Sequence, residues 1–315
     1  MIQSSKNYPT IGLALSGSGS RFIFYIGFLE ELAKADVPID YIAAMSGASV
    51  VAAAFACGRL EKLKEIIFSI TKDEVLGMLP KGKAGLYNLD KIEEFGRQLT
   101  DNLRFEDVKP LMGIVAADII SGEQVVMSMG DIGRAVRISC TLPAVFEATQ
   151  WGGKTLVDGG LLNMIPIDVV KQAGLDIVIA VNLRGTNHMF SARQMAAKKI
   201  FNMFKKVLLV DYMEKVWDSF IPEGEADEAD FENGPNMFSV LSRSMDLAIA
   251  ASKKDKQMDL SCDLIITPEI KKFRLKNIEQ TRHELYELGR STALEYIPRI
   301  KEIIAQKEKK FETVK

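Results

Sequence analysis

The chain has 315 residues, 47% hydrophobic and 26% charged, which is enough apolar material for a large buried core and suggests one large domain or two small ones. A net charge of −2 supplies no global positive field to draw it to nucleic acid, and none is expected as a partner. The three cysteines, Cys57, Cys140 and Cys262, lie far apart and match neither a zinc spacing nor a disulfide framework, so a reducing compartment fits and no metal or organic cofactor is expected. Met1 to Thr10 is polar and lacks an apolar signal core. The longest nearly apolar stretch, Ile42 to Cys57, holds two serines and a glycine and is short for a bilayer span. The expectation is a cytoplasmic protein that meets membranes only from the surface.

In chain order, Ile11 to Leu15 reads as a buried strand running into the glycine-rich turn Ser16-Gly17-Ser18-Gly19. Arg21 to Ala35 has helical spacing, with Phe22, Ile26, Leu29 and Leu32 on one stripe, and Pro38 ends it. Ile39 to Met45 predicts a second strand and Gly47 to Cys57 a buried helix closed by Gly58. Strand–helix–strand–helix implies parallel strands with helices on the faces. Met112 to Ile119 and Glu123 to Ser128 predict a hairpin turning at Ser121-Gly122. Asp131 to Ser139 predicts a helix, Leu175 to Asn182 and Cys262 to Thr267 two more strands, and Ile278 to Ile304 a long amphipathic helix kinked at Pro298. No internal repeat is evident. Residues 190–235 differ from the rest: Arg193 to Leu209 mixes bases with Met, Phe and Leu, and Glu223 to Glu232 carries six acids and no base.

Ser46 stands in Ala44-Met45-Ser46-Gly47-Ala48, between a predicted strand and a predicted helix. A serine on so tight a turn projects its hydroxyl above the sheet edge, and the helix behind it aims N–H groups at developing negative charge. The five-residue pattern alone fits a helix N-cap serine as well. The loop Ser16 to Arg21 follows the first strand, and in a parallel sheet neighbouring carboxyl ends share one edge, so the loop can face Ser46. Its glycines would let backbone N–H groups point into a cavity as oxyanion donors. A phosphate loop competes, but the Walker pattern lacks its Lys and the dinucleotide pattern meets Phe22 where a third glycine belongs.

A serine hydroxyl needs a proton acceptor. His283 lies mid-helix on a predicted solvated face, which leaves only His188, just after a strand, as a triad histidine. The other candidate is Asp158 in Leu156-Val157-Asp158-Gly159-Gly160. An aspartate there is by itself a turn former. The tandem glycines would also let the backbone pass close to another segment, and a carboxylate can act as base from a short, direct hydrogen bond in a partly dehydrated site.

These pieces, in this order, resemble the patatin-like phospholipases: a Gly-rich turn before Arg or Lys, then Gly-x-Ser-x-Gly, then Asp-Gly-Gly or Asp-Gly-Ala. Here they are Ser16 to Arg21, Ala44 to Ala48 and Asp158-Gly159-Gly160. Ser139-Cys140-Thr141-Leu142-Pro143-Ala144-Val145-Phe146 is similar to the family segment before the aspartate, and Asn163 to Ile167 to the one after it. The resemblance covers residues 11–183 specifically, 260–300 loosely and 190–235 not at all. It implies a three-layer α/β/α fold with a central, mostly parallel sheet, one domain over residues 8–305 and a variable insert at about 190–235. It implies hydrolysis of phospholipid or other acyl esters through an acyl-serine on a Ser46–Asp158 dyad. Gly17, Ser18, Gly19 and Gly47 would hold the oxyanion, and Arg21 would orient the loop or meet a lipid phosphate.

Ala44 and Ala48 replace the motif glycines, and their methyl groups would narrow the turn. A catalytically impaired lipid-binding relative is therefore one alternative, and an acyltransferase using the same acyl-serine is another. Arg193 to Leu209 is a candidate interfacial helix or lid for transient contact with a membrane surface, or an ordinary helix packed on the domain.

Overall fold

The structure, a computed structural model, describes residues 8–71, 88–142, 148–183, 261–270 and 278–313, together with 74, 78 and 146. His188, the basic-apolar stretch Arg193 to Leu209 and the acidic run Glu223 to Glu232 lie outside the described residues.

The described strands form one sheet. They are β1 (Ile11–Leu15), β2 (Tyr41–Met45), β3 (Leu111–Asp118), β4 (Gln124–Met127), β5 (Thr149–Trp151), β6 (Lys154–Asp158), β7 (Ile177–Val181) and β8 (Leu264–Ile266). They connect in the order β5-β6-β3-β2-β1-β7-β8, with β4 also paired to β3. The pairs β1–β2, β1–β7, β2–β3 and β7–β8 are parallel; β3–β4, β3–β6 and β5–β6 are antiparallel. The sheet is thus mostly parallel, as expected.

Every residue of β1, β2 and β7 is buried, so both sheet faces are covered and the strands read as continuous apolar runs. Alternate residues divide between two cores. Leu13, Leu15, Ile42, Ala44, Ile114, Ile177 and Ile179 join one core, with residues of α1 (Ile23–Lys34), α2 (Gly47–Ala56), α3 (Leu60–Ser69), α5 (Ile132–Ser139) and α7 (Ile278–Thr313). Ala14, Ala43, Met45, Val115, Val178 and Ala180 face the other way, against Met164, Ile165 and α6 (Ile167–Gln172). That is the expected three-layer α/β/α arrangement. Helix α4 (Asp90–Leu99) packs on α5, where buried Arg137 reaches Asp90 and Glu93.

The elements depart from the sequence expectations chiefly at their ends. The strand predicted from Ile39 begins at Tyr41, because Asp40 turns its carboxylate to the Ile11 N–H at 2.8 Å. The strand predicted from Leu175 begins at Ile177, because Asp176 accepts from both the N–H and the hydroxyl of Thr10. The helix predicted from Arg21 opens as a 3-10 turn over Gly19–Phe22 before α1 begins. Helix α7 continues through Pro298 to Thr313, beyond the expected end at Ile304. It is fastened to α1 by buried Glu31, whose carboxylate accepts from Arg290 Nε at 2.8 Å. The hydrogen bond from Arg290 holds that carboxyl below the usual glutamate range. Helices α3, α4 and α6 have no counterpart in the elements expected from sequence.

Candidate active site

Strand β2 leaves the sheet at Met45, and the next residue, Ser46, has φ 52° and ψ −140°. A non-glycine residue at positive φ is strained and persists only where its surroundings hold it. Here the hold is visible on both sides of the residue. The Ser46 carbonyl accepts from the N–H of Ser49 at 2.9 Å and from its hydroxyl at 2.6 Å, which starts α2. The Ser46 N–H donates to the Ser139 hydroxyl at 2.8 Å. Ser46 makes no side-chain capping bond, which disfavours the plain N-cap alternative.

The placement of Asp158 follows from strand register. Strand β2 faces β3 from Tyr41↔Leu111 to Met45↔Val115. Strand β4 faces β3 over Ile114 to Ala117. Strand β6 faces β3 over Ala116 to Asp118, with Ala116↔Asp158. A strand residue has one neighbour on each side. Ile114 and Val115 lie between β2 and β4, whereas Ala116 and Ala117 lie between β4 and β6. Strand β6 therefore takes the side of β3 that β2 vacates. The two strands meet end to end, with Met45 and Asp158 opposite consecutive residues of β3, one strand step of about 3.3 Å apart. Their carboxyl ends converge, and this brings the Ser46 elbow and the Asp158 turn together.

Three further contacts close this junction. The Ser139 hydroxyl donates to the Val115 carbonyl at 2.7 Å. The Asp158 N–H donates to the Thr141 carbonyl at 2.8 Å. Gly159 passes so close to β3 that a Cβ there would stand 2.6 Å from the Val115 oxygen. Asp158 itself is 1% exposed, and its Oδ1 accepts from the Gly160 N–H at 2.8 Å. The Cys140 thiol lies in the same neighbourhood: burial pushes it up to about 12, the Asp158 charge adds to this, and the Ser49 hydroxyl opposes it.

The glycine-rich loop lies against the elbow. A Cβ on Gly47 would stand 2.4 Å from the Gly19 carbonyl oxygen, and one on Gly17 would stand 3.8 Å from Ser46 Cβ. The loop is anchored from below. The Ser16 N–H donates to Val181 and its hydroxyl accepts from the Leu183 N–H, while Tyr25 donates to the Ser16 and Val181 carbonyls. Arg21 donates through Nη1 to the Leu183 carbonyl at 3.1 Å and through Nε to Ser18 at 3.4 Å, so it ties the loop to the end of β7. The Gly17 N–H donates to Met164 at 3.2 Å, so this expected oxyanion donor is already engaged. The Ser18 hydroxyl is buried and has no hydrogen-bond partner among the described residues.

Beyond Gly160, the Asn163 amide donates to Gln124 and Asp168, both at 2.6 Å, and fixes the turn against β4. Ala44 and Ala48 are fully buried, with their methyl groups in the apolar core. His283 is exposed and edge-on to Phe68, with ring centroids 4.6 Å apart. Among the described residues no group of His, Cys, Asp and Glu gathers to hold a metal ion. The motifs assign no individual role to Ser139, Thr141 or Tyr25, although Ser139 and Thr141 lie in the segment similar to the family's. The available signal was a run of hydroxyl residues inside an otherwise apolar stretch.

The fold and the elbow define a class: α/β/α proteins that present a strained serine at the carboxyl edge of the sheet. Residues 13–171 match the patatin-like phospholipase family, and the chain belongs to it. It is 29% identical over 180 residues to an "uncharacterized NTE family protein" of Mycobacterium tuberculosis, covering 56% of this chain and 50% of that one. It is 28% identical over 184 residues to lysophospholipase NTE1 of Candida glabrata, covering 55% of this chain and 10% of that one. The chain thus spans about half the length, or less, of these curated relatives. Among solved structures, VipD from Legionella pneumophila superposes with a TM-score of 0.48 at 14% identity, over 93% of this chain and 67% of that one.

Proposed function

We propose that the chain is a lipid acyl-hydrolase that cleaves carboxylic esters of phospholipids or lysophospholipids through an acyl-serine. The observation that carries this reading is the end-to-end meeting of β2 and β6, which converges the Ser46 elbow on the Asp158-Gly159-Gly160 turn. Family membership supports the substrate class, and one relative is named a lysophospholipase.

In this reading the Ser46 hydroxyl oxygen attacks the ester carbonyl carbon while its proton passes to the Asp158 carboxylate. The carbonyl oxygen becomes an oxyanion, stabilised by amides of Gly47, Ser18 and Gly19 and by the N-terminal end of α2. Collapse breaks the acyl–oxygen bond, and the departing alcohol takes the proton back from Asp158. Water then attacks the acyl-serine and gives a proton to Asp158; collapse breaks the acyl–Oγ bond, the Ser46 oxygen takes that proton back and the fatty acid is released. Arg21 holds the loop in shape through its bonds to Leu183 and Ser18. Residues 8–305 would form one domain carrying the insert at about 190–235. None of the described helices is long and apolar enough to cross a membrane. The expected setting remains the cytoplasm, with lipid met at a surface.

The test is fatty-acid release from a panel of phospholipids, lysophospholipids and neutral esters, run beside Ser46→Ala and Asp158→Asn, with a fluorophosphonate probe for the nucleophile. Both variants should lose turnover while remaining folded, and only Ser46→Ala must lose labelling altogether. Turnover by Ser46→Ala, or near-wild-type activity of Asp158→Asn, would overturn the reading.

A further inference from the structure

We propose that Ser139 is a positioning residue that sets the separation of Ser46 and Asp158. The inference rests on the acyl-hydrolase reading and deepens it.

The ladder between β2 and β3 is interrupted. Parallel pairing of β2 with β3 ends at Met45↔Val115, because Ser46 turns out of the sheet. That departure would leave the Ser46 N–H and the Val115 carbonyl without their next ladder partners, with Val115 fully buried. A single side-chain oxygen fills both places. Ser139 Oγ accepts from Ser46 N–H at 2.8 Å and donates to Val115 O at 2.7 Å, and Ser139 is fully buried. Buried serines in helices commonly turn their hydroxyl to a carbonyl of their own preceding turn. Ser139, the last residue of α5, bonds two other segments instead.

The same stretch of chain holds the other partner. Two residues on, the Thr141 carbonyl accepts from the Asp158 N–H at 2.8 Å, and the Thr141 hydroxyl donates back to Arg137 at 3.0 Å within α5. The end of α5 is therefore a short rigid bridge. One foot stands on the nucleophile elbow and the other on the aspartate strand, and the Val115 carbonyl lies between Ser139 and Gly159. Ser139 touches neither substrate nor a reacting atom in this scheme. It acts by fixing the backbone of Ser46 relative to Asp158. A misplacement of reacting groups by about 1 Å can cost on the order of a hundredfold in rate, so a modest relaxation at this joint should register in turnover.

The test compares wild type, Ser139→Ala, Ser139→Cys and Ser46→Ala. Alanine removes both bonds at constant backbone; cysteine keeps a weak donor and acceptor at similar shape. With folding checked by circular dichroism and melting temperature, kcat of Ser139→Ala should fall about 10- to 100-fold with KM within about twofold, and fluorophosphonate labelling of Ser46 should slow in parallel. Ser139→Cys should lie between alanine and wild type. Should the alanine variant fail to fold, the cysteine variant carries the test through the same split of kcat from KM. Wild-type kcat in folded Ser139→Ala, or a loss of activity that only follows the unfolded fraction, overturns the inference while the acyl-hydrolase reading stands. Turnover or labelling in Ser46→Ala overturns that reading instead.

Discussion

Ser16 and Tyr25 share a buried hydroxyl–hydroxyl hydrogen bond of 3.1 Å beneath the glycine-rich loop. The bond joins the start of that loop to helix α1, and through the Val181 carbonyl to the end of β7. Burial pushes the Tyr25 phenol well above its ordinary range, so it remains a donor at any working pH.

Tyr25→Phe should therefore cost about 1–2 kcal/mol of stability, because it strips a donor from two buried carbonyls without changing the ring packing. Loosening the loop should also lower turnover with probe labelling of Ser46 retained. Urea unfolding of the purified variant, paired with a fatty-acid release assay, measures both. An unchanged unfolding midpoint would show that the ring alone matters.

The alanines at 44 and 48 invite the opposite kind of test. Their side chains are fully buried in the apolar core, and the expectation is that they fill space there without hindering the turn. Ala44→Gly and Ala48→Gly, which restore the family glycines, should each lower stability by about 1 kcal/mol through added chain entropy and lost packing. Neither should raise kcat. An enhanced rate in either variant would mean that the methyl groups do hinder the turn.

Thiol chemistry supplies a pH prediction. Burial pushes Cys57 up to about 11 and Cys140 up to about 12, from an ordinary 9.0. Both should be thiols at pH 8 and should resist iodoacetamide in the folded protein, then react once it is unfolded. The sign for stability follows from the raised folded values: the contribution is intact below about pH 9 and is lost as pH rises toward 12. Mass-spectrometric labelling across that range should show both cysteines gaining reactivity as pH rises. Fast labelling of Cys140 at pH 8 in folded protein would contradict the burial argument.

The acid side is governed in part by Glu31. Its carboxyl is lowered from 4.5, first by the hydrogen bond from Arg290 and further by Lys34, so its contribution is present above the unfolded value and is lost as pH falls through the folded one. Glu31→Gln should cost about 1–2 kcal/mol at pH 7 by leaving Arg290 without its buried partner, and the difference from wild type should shrink below about pH 4.5. Thermal melts of both proteins from pH 7 to pH 3 measure it. A difference that stays constant over that range would assign the loss to packing.

What the sequence determined by itself was the local grammar. Continuous apolar runs at Ile11–Leu15 and Ile177–Val181 mark strands covered on both faces, since a surface strand would have to alternate. A serine between a strand and a helix marks an elbow, and two glycines after Asp158 mark a close backbone passage, which the approach to Val115 bears out. These signals are short-ranged, because side-chain periodicity and glycine placement report the chain's own geometry. Tertiary structure alone decided that β6 docks on the side of β3 that β2 vacates, and that Ser139, distant by 93 residues, completes the ladder Ser46 leaves open. Alternation along a strand says which face of a residue is buried but not which edge of which neighbour it meets. A serine's single hydroxyl carries no mark of the partner it will find. Those choices are made by the packing of distant segments, and the candidate site is the place where they meet.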